Sequence, residues 1–463
     1  MLSLVMLGPI YSLFSGMNVS LVFKILYPFI LSFAPLGLFI SYKRQTGDKI
    51  AFLSCFYFVT FSAFFVDTLA VARQEIAELF LILIVLVILE DRLRTRDRSL
   101  LLLVFGASLS VSHYGTSYVF LLILALALPI IYLVLPRVAR IFKTGSARPG
   151  SARRNKDIKI FVAFFTVFTI SWYVFVSPSS GPFATALTIG NSIVSNVGEM
   201  FSPGLNQPVA ILTSQLVPLQ IIERDIFLLS FFFILVGLLA VLVERKETKF
   251  TDEFIGFASG SFVFLVLATV LPVVAQSLQS DRVLTLSFIF LAPFCIIGLI
   301  RLLGLLSSSV KHVAKRVGPF RSHKNEIYVV VSIFLAVWVV FNSAFIYQLL
   351  DQPKVGRFAL DNNVDFLRLN EQEFSNAAWL DKYQQKDTVA YADVNKATLL
   401  KQPMSSATEP FVKEFTPDQT TNNAFHHCYV FLGSYNLKNK EMLIRTSSSS
   451  VGTFQLLRYP KPA

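Results

Sequence analysis

Charge is what this sequence has least of. Only 15% of its 463 residues are Asp, Glu, Lys or Arg, where a soluble domain carries about 25%. Cysteine is almost as scarce. Cys55, Cys295 and Cys428 are too few and too scattered for a disulfide framework or a thiolate metal site. Gly-x-Ser-x-Gly, His-Glu-x-x-His and Cys-x-x-Cys patterns are missing, which leaves soluble-type hydrolase and metalloprotease chemistry without support. The net charge of +12 invites a nucleic-acid partner, but its distribution excludes one. From Leu350 onward 13 basic residues face 12 acidic ones, so the tail is near neutral. The other 28 basic and 17 acidic residues precede it.

What is abundant is apolar surface. Hydrophobic residues reach 54%, with 46 Phe and a mean hydropathy of +0.61. A helix needs about 20 mostly apolar residues to cross a bilayer core of ~30 Å. Candidate spans fall near 20–41, 50–66, 74–90, 99–112, 116–135, 158–177, 225–243, 254–275, 283–305 and 327–349. All are expected to be helical, because lipid offers unpaired backbone groups no partner. The expected fold is an all-α polytopic transmembrane bundle of about ten spans over 1–349, followed by a small α/β domain over 350–463. The stretch 99–112 rises only ~21 Å at 1.5 Å per residue. Either its helix starts earlier, with Arg96 and Arg98 snorkelling, or His113-Tyr114-Gly115 sits below the membrane surface.

Orientation follows from the loop cations. Loops 42–49, 91–98, 136–159, 244–252 and 301–326 hold 24 Lys and Arg. Loops 67–73, 113–115, 178–224 and 276–282 hold three: Arg73, Arg224 and Arg282. The first set is placed in the cytoplasm, and the second set, the N-terminus and the C-terminal domain outside. The segment 144–156 reads as a flexible basic linker, and 183–201 as an interfacial amphipathic helix before a Pro-rich stretch from Pro203 to Pro218. In the tail, Phe374–Tyr383 reads as a helix, and Thr388–Tyr391 and Tyr429–Leu432 as strands. Asn18-Val19-Ser20 is a sequon on the side placed outside, and His426-His427 lacks zinc spacing. No internal repeat is visible.

Ionisable groups inside spans mark functional candidates. Gln74, Glu75 and Glu78 share one flank of a helix at 100° per residue, with Arg73 beside them. Their carboxylates either complement the helix dipole or line a cavity for sugar hydroxyls, a metal ion or a general base. Arg282 sits at a helix start behind Asp281. There the dipole opposes a cation unless an anion such as phosphate binds; a local pair with Asp281 or Glu223 is the plain alternative. His113 suits a proton shuttle or a phosphate donor, or simply caps its turn.

Several short motifs carry a resemblance over most of the chain. They are Ala72-Arg73-Gln74-Glu75-Ile76-Ala77-Glu78-Leu79-Phe80, Ser112-His113-Tyr114-Gly115, Asp281-Arg282, Leu291-Ala292-Pro293-Phe294, Phe341 through Tyr347, and Glu373-Phe374 with Ala378-Trp379-Leu380. With them the chain resembles an archaeal group of uncharacterised polytopic membrane proteins, which in turn resembles the GT-C class of membrane glycosyltransferases. The resemblance implies sugar transfer from a polyprenyl- or dolichyl-phosphate donor to a glycan, lipid or protein acceptor at the outer face of the cell membrane. Arg73, Arg282 and Arg224 would be the lipid-phosphate residues. Glu75, Glu78 and His113 would be catalytic, with Gln74, Tyr114 and Asp281 lining the cavity. The resemblance fixes no cofactor and allows a divalent cation. GT-C enzymes carry an acidic residue in a first outer loop, whereas Met1–Ser20 has no Asp or Glu. A truncated or divergent chain is therefore expected, with Asp67 the substitute carboxylate. A surface-polysaccharide ligase or polymerase, and a non-enzymatic transporter or flippase of lipid-linked glycans, are the alternative readings.

Overall fold

The computed structural model describes residues 2–69, 71–141, 151–176, 181–195, 218–245, 248–271, 278, 280–314, 324–350, 369–385, 388–400, 412–415, 428–439, 441–445 and 454–458. The chain divides into two compact units, 1–342 and 343–463.

The first unit is helical. Its main helices are α1 (Leu7–Ser15), α2 (Ala34–Thr46), α3 (Asp48–Val59), α4 (Ala72–Ile88), α5 (Thr95–Ser112) and α6 (Tyr114–Pro129). They continue with α7 (Ser151–Ser171), α8 (Gly181–Ser195), α9 (Pro218–Val243), α10 (Asp252–Val270), α11 (Ser280–Ala314) and α12 (Lys324–Asn342). Among the described residues six helices are long and apolar enough to cross a membrane: Val19–Thr46, Tyr114–Ile141, Lys156–Val176, Pro218–Val243, Asp252–Val270 and Ser280–Leu306.

The other four expected spans are shorter or more polar helices. The stretch 50–66 is interrupted, because α3 stops at Val59 and a wide π turn follows at Ala63–Thr68. Trp338 and Asn342 close this break. The indole N–H donates to the Tyr57 carbonyl at 3.2 Å, and the Ser62 N–H donates to the Asn342 amide at 3.1 Å. Expected span 74–90 is a helix of 17 residues, and α12 ends at Asn342, before a turn in which Ala344 takes φ 56°. The helix of span 99–112 begins earlier, at Thr95. Arg98 is buried against Asp157 at 3.3 Å instead of reaching water, and His113 is fully buried at the other end. The earlier start is thus found, with Arg98 paired inside the protein instead of snorkelling.

α11 is the most deeply buried of the six long helices, and it packs against α2, α3, α6, α9, α10 and α12. Pro293 lies inside it and has no N–H for the carbonyl four residues back, that of Ile289. The buried Tyr42 hydroxyl donates to that carbonyl at 2.7 Å. A side chain from α2 thus repairs a helix-breaking residue where lipid or water cannot. Glycine sets the closest helix approach: a Cβ on Gly237 would strike the Phe294 carbonyl, and one on Gly298 the Phe233 carbonyl. Such small residues let two backbones meet.

One of the assigned loops differs from expectation. Helix α7 starts at Ser151, so the basic run at Arg153 and Arg154 is helical; beyond Gly150 the stretch has no Pro or Gly to stop it. The earlier part of that linker, 142–150, lies outside the described residues, as do Val197, Phe201 and Pro203. The amphipathic segment is described as α8.

The second unit holds α13 (Glu371–Tyr383), strand β1 (Ala390–Ala392), α14 (Val394–Leu400), β2 (Val412–Glu414), β3 (Tyr429–Phe431), α15 (Ser434–Asn439), β4 (Glu441–Arg445) and β5 (Phe454–Arg458). Strand β1 is central in a parallel sheet of order β2-β1-β3, while β4 and β5 form an antiparallel pair. Asn370 and Glu373 close a reciprocal capping box at the start of α13. Glu373 also pairs with Lys396 at 3.0 Å, both side chains nearly inaccessible. His426 and His427 are outside the described residues.

Candidate functional site

The polar flank of α4 is buried. Gln74 is 4% exposed, and Glu75 and Glu78 are 0% exposed. Gln74 works in two directions at once: its amide N–H donates to Glu78 at 2.8 Å, and its carbonyl accepts from Arg282 Nε at 3.2 Å. Arg282 reaches it from the first turn of α11. The Thr68 hydroxyl lies 3.4 Å from each Glu78 oxygen. Glu78 is thereby held in place by hydrogen bonds.

Glu75 is different. Both of its carboxylate oxygens are buried without a hydrogen-bond partner among the described residues. A buried charged group left this way is costly, so its retention points to a ligand or a proton. The side chain stands among the N-terminal helices. Ile76 packs with Val22 and Tyr27, and the Ser3 hydroxyl reaches the Ser112 carbonyl at 3.1 Å, tying this layer to the end of α5.

The turn between α5 and α6 closes the site. His113 Nδ1 accepts from the Thr116 backbone N–H at 3.3 Å and meets the Thr116 hydroxyl at 2.8 Å. That pattern puts the ring proton on Nε2, which is buried and has no partner among the described residues. A ring nitrogen that accepts a backbone N–H carries no proton of its own. The imidazole is therefore neutral and presents an N–H. Gly115 matters because of Arg282: a Cβ there would overlap the guanidinium. Arg73 lies over the Tyr114 ring, 5.9 Å from its centroid, in a cation–π arrangement.

Gln74, Glu78, Arg282 and the His113–Gly115 turn are thus assembled from three separated stretches, with Arg73 and Tyr114 alongside. Two expected members stand apart. Asp281 is exposed while its neighbour Arg282 is buried, because successive residues of a helix point 100° apart. Arg224, on α9, has two N–H groups on the adjacent Asp225 at 3.0 and 3.1 Å. Asp67 lies in the π turn Ala63–Thr68, and its side chain falls outside the described residues.

Three participants escaped sequence reasoning. Thr68 is a lone hydroxyl in an apolar run. Tyr118 and Tyr173 join Tyr114 in an aromatic wall with ring centroids 5.6–6.3 Å apart. The spacing of four between Tyr114 and Tyr118 was the available signal. For a metal, the described residues contain no group of three or more His, Cys, Asp or Glu. Glu75 and Glu78 offer two carboxylates, of which Glu78 is already bound.

Apolar helices long enough to cross a membrane, packed with a buried cluster of ionisable groups, mark a polytopic membrane protein. The chain belongs to the predicted membrane protein family DUF2206, whose model matches residues 98–456. No curated protein matches it.

Proposed function

We propose that this protein is a GT-C-like membrane glycosyltransferase, moving a sugar from a polyprenyl-phosphate carrier to an acceptor hydroxyl. The observation that carries the reading is the unpartnered, buried Glu75 carboxylate one residue from the Gln74–Arg282 hydrogen bond. An acid without partners, next along α4 to the Gln74 that holds a buried guanidinium, suits a reaction that takes up a proton and releases a phosphate. Arg282 holds the carrier phosphate, with Arg73 in support. Glu75 removes the proton from the acceptor hydroxyl. The acceptor oxygen bonds to the anomeric carbon while the carbon–oxygen bond to phosphate breaks. Its electron pair leaves with the phosphate, whose charge Arg282 stabilises. His113 Nε2–H donates to a phosphate or sugar oxygen. Glu78, already bonded, positions Gln74 and through it Arg282. The wall of Tyr114, Tyr118 and Tyr173 offers apolar ring faces to a sugar.

The same reading puts about ten crossings in the cell membrane, with the site and the C-terminal unit on the extracytoplasmic side. Its support is the contrast of 24 loop cations against three.

The test is incubation of the purified chain with radiolabelled polyprenyl-phosphate sugar. Binding is expected, with Arg282→Ala losing at least tenfold in donor affinity and Glu75→Gln keeping affinity but losing transfer. An absence of donor binding by the native chain, or unchanged affinity in Arg282→Ala, overturns the proposal. A ligase or polymerase using the same carrier is distinguished by its acceptor.

A further inference from the structure

A second feature lies away from this cluster, between α3 and α12. These helices run side by side in the same direction: Lys49 meets Tyr328, the Tyr57 carbonyl meets Trp338, and the Ser62 N–H meets Asn342. Lys49 therefore stands at the opposite end of the pair from the Thr68–Glu78 contact. Beginning at Lys49, a shallow groove of about 640 Å³ follows the two helices, within the ~300–1,000 Å³ of ordinary ligand sites. Its walls are Phe52 and Ile333, and Ser332 and Ala336 make the hollow. On α12 it extends from Tyr328 to Ala336, or ~12 Å at 1.5 Å per residue.

The polar end of the groove is headed by a cation. The Lys49 ammonium sits 5.4 Å over the Tyr328 ring, and among the described residues no carboxylate pairs with it. Its neighbour Asp48 is bound to Lys43 at 2.7 Å instead. The first turn of α12 carries the exposed Glu326, which has a partner of its own. Long cationic side chains beside apolar surface hold their heads at a membrane–water boundary, and basic pockets between spanning helices take anionic headgroups.

From this we infer that the groove seats one acyl chain of an anionic phospholipid, with its phosphate on Lys49. A zwitterionic lipid fits less well. Its ammonium would need a carboxylate or an open aromatic face, but Glu326 already has a partner and the Tyr328 face is covered by Lys49. The inference does not depend on the proposed sugar transfer.

Native mass spectrometry of the full chain in detergent tests it, with phosphatidylglycerol and phosphatidylcholine of identical acyl chains as probes. The native protein is expected to retain one phosphatidylglycerol in preference to phosphatidylcholine. Lys49→Gln should lower phosphatidylglycerol affinity about fivefold, the effect of one cation at an anionic headgroup, and leave phosphatidylcholine unchanged. Ala336→Trp, which fills the hollow, should displace both. Equal retention of the two lipids by the native protein overturns the inference. So does an unchanged preference in Lys49→Gln, whose exposed side chain leaves folding intact.

Discussion

The Tyr42 hydroxyl donates to the carbonyl of Ile289 at 2.7 Å, the acceptor that Pro293 leaves without its helical partner. Tyr42→Phe keeps the ring and removes only this donor. A buried carbonyl left unpaired costs about 1–3 kcal/mol. Thermal unfolding in detergent should register the loss in Tyr42→Phe, and Pro293→Ala in the same background should recover most of it, since alanine restores the backbone N–H. No recovery would mean that the hydroxyl acts elsewhere.

Two glycines make opposite predictions. At Gly298 a side chain meets the backbone of α9, which cannot step aside. Gly298→Leu should therefore destabilise by about 3 kcal/mol, the upper range for overpacking. At Gly115 the obstacle is the end of the Arg282 side chain. Gly115→Ala should leave stability within about 1 kcal/mol yet displace the guanidinium and weaken donor binding tenfold or more. Thermal scans and donor titration on the two variants separate a packing glycine from a site glycine.

Much of the candidate site was legible because charge in an apolar run has few ordinary explanations. Gln74, Glu78, Arg282 and the His113 turn were all visible as such intrusions, and the fold brings them into one cluster. Thr68, Tyr118 and Tyr173 were not visible, since a hydroxyl in an apolar helix is common and only packing gives it a role. The lengths of several helices were also hidden. Hydropathy runs continuously from Ile50 to Val66, and nothing in it marks the break after Val59 that Trp338 and Asn342 bridge from far along the chain. In the tail, Phe374–Tyr383 was legible as a helix, but its start at Glu371, set by the capping box of Asn370 and Glu373, was not read. Strands of three residues such as Val412–Glu414 are too short to carry an alternation.

The buried helix that begins at Ser280 has one further consequence. It is gripped by Tyr42 near its middle and seated on α9 through Gly298 farther along, so it has little freedom to slide or tilt. Arg282 rides on the tip of this braced rod. Any ligand drawn to that cation must travel to a stationary landmark, and adaptation to differently shaped ligands falls to the surrounding turns.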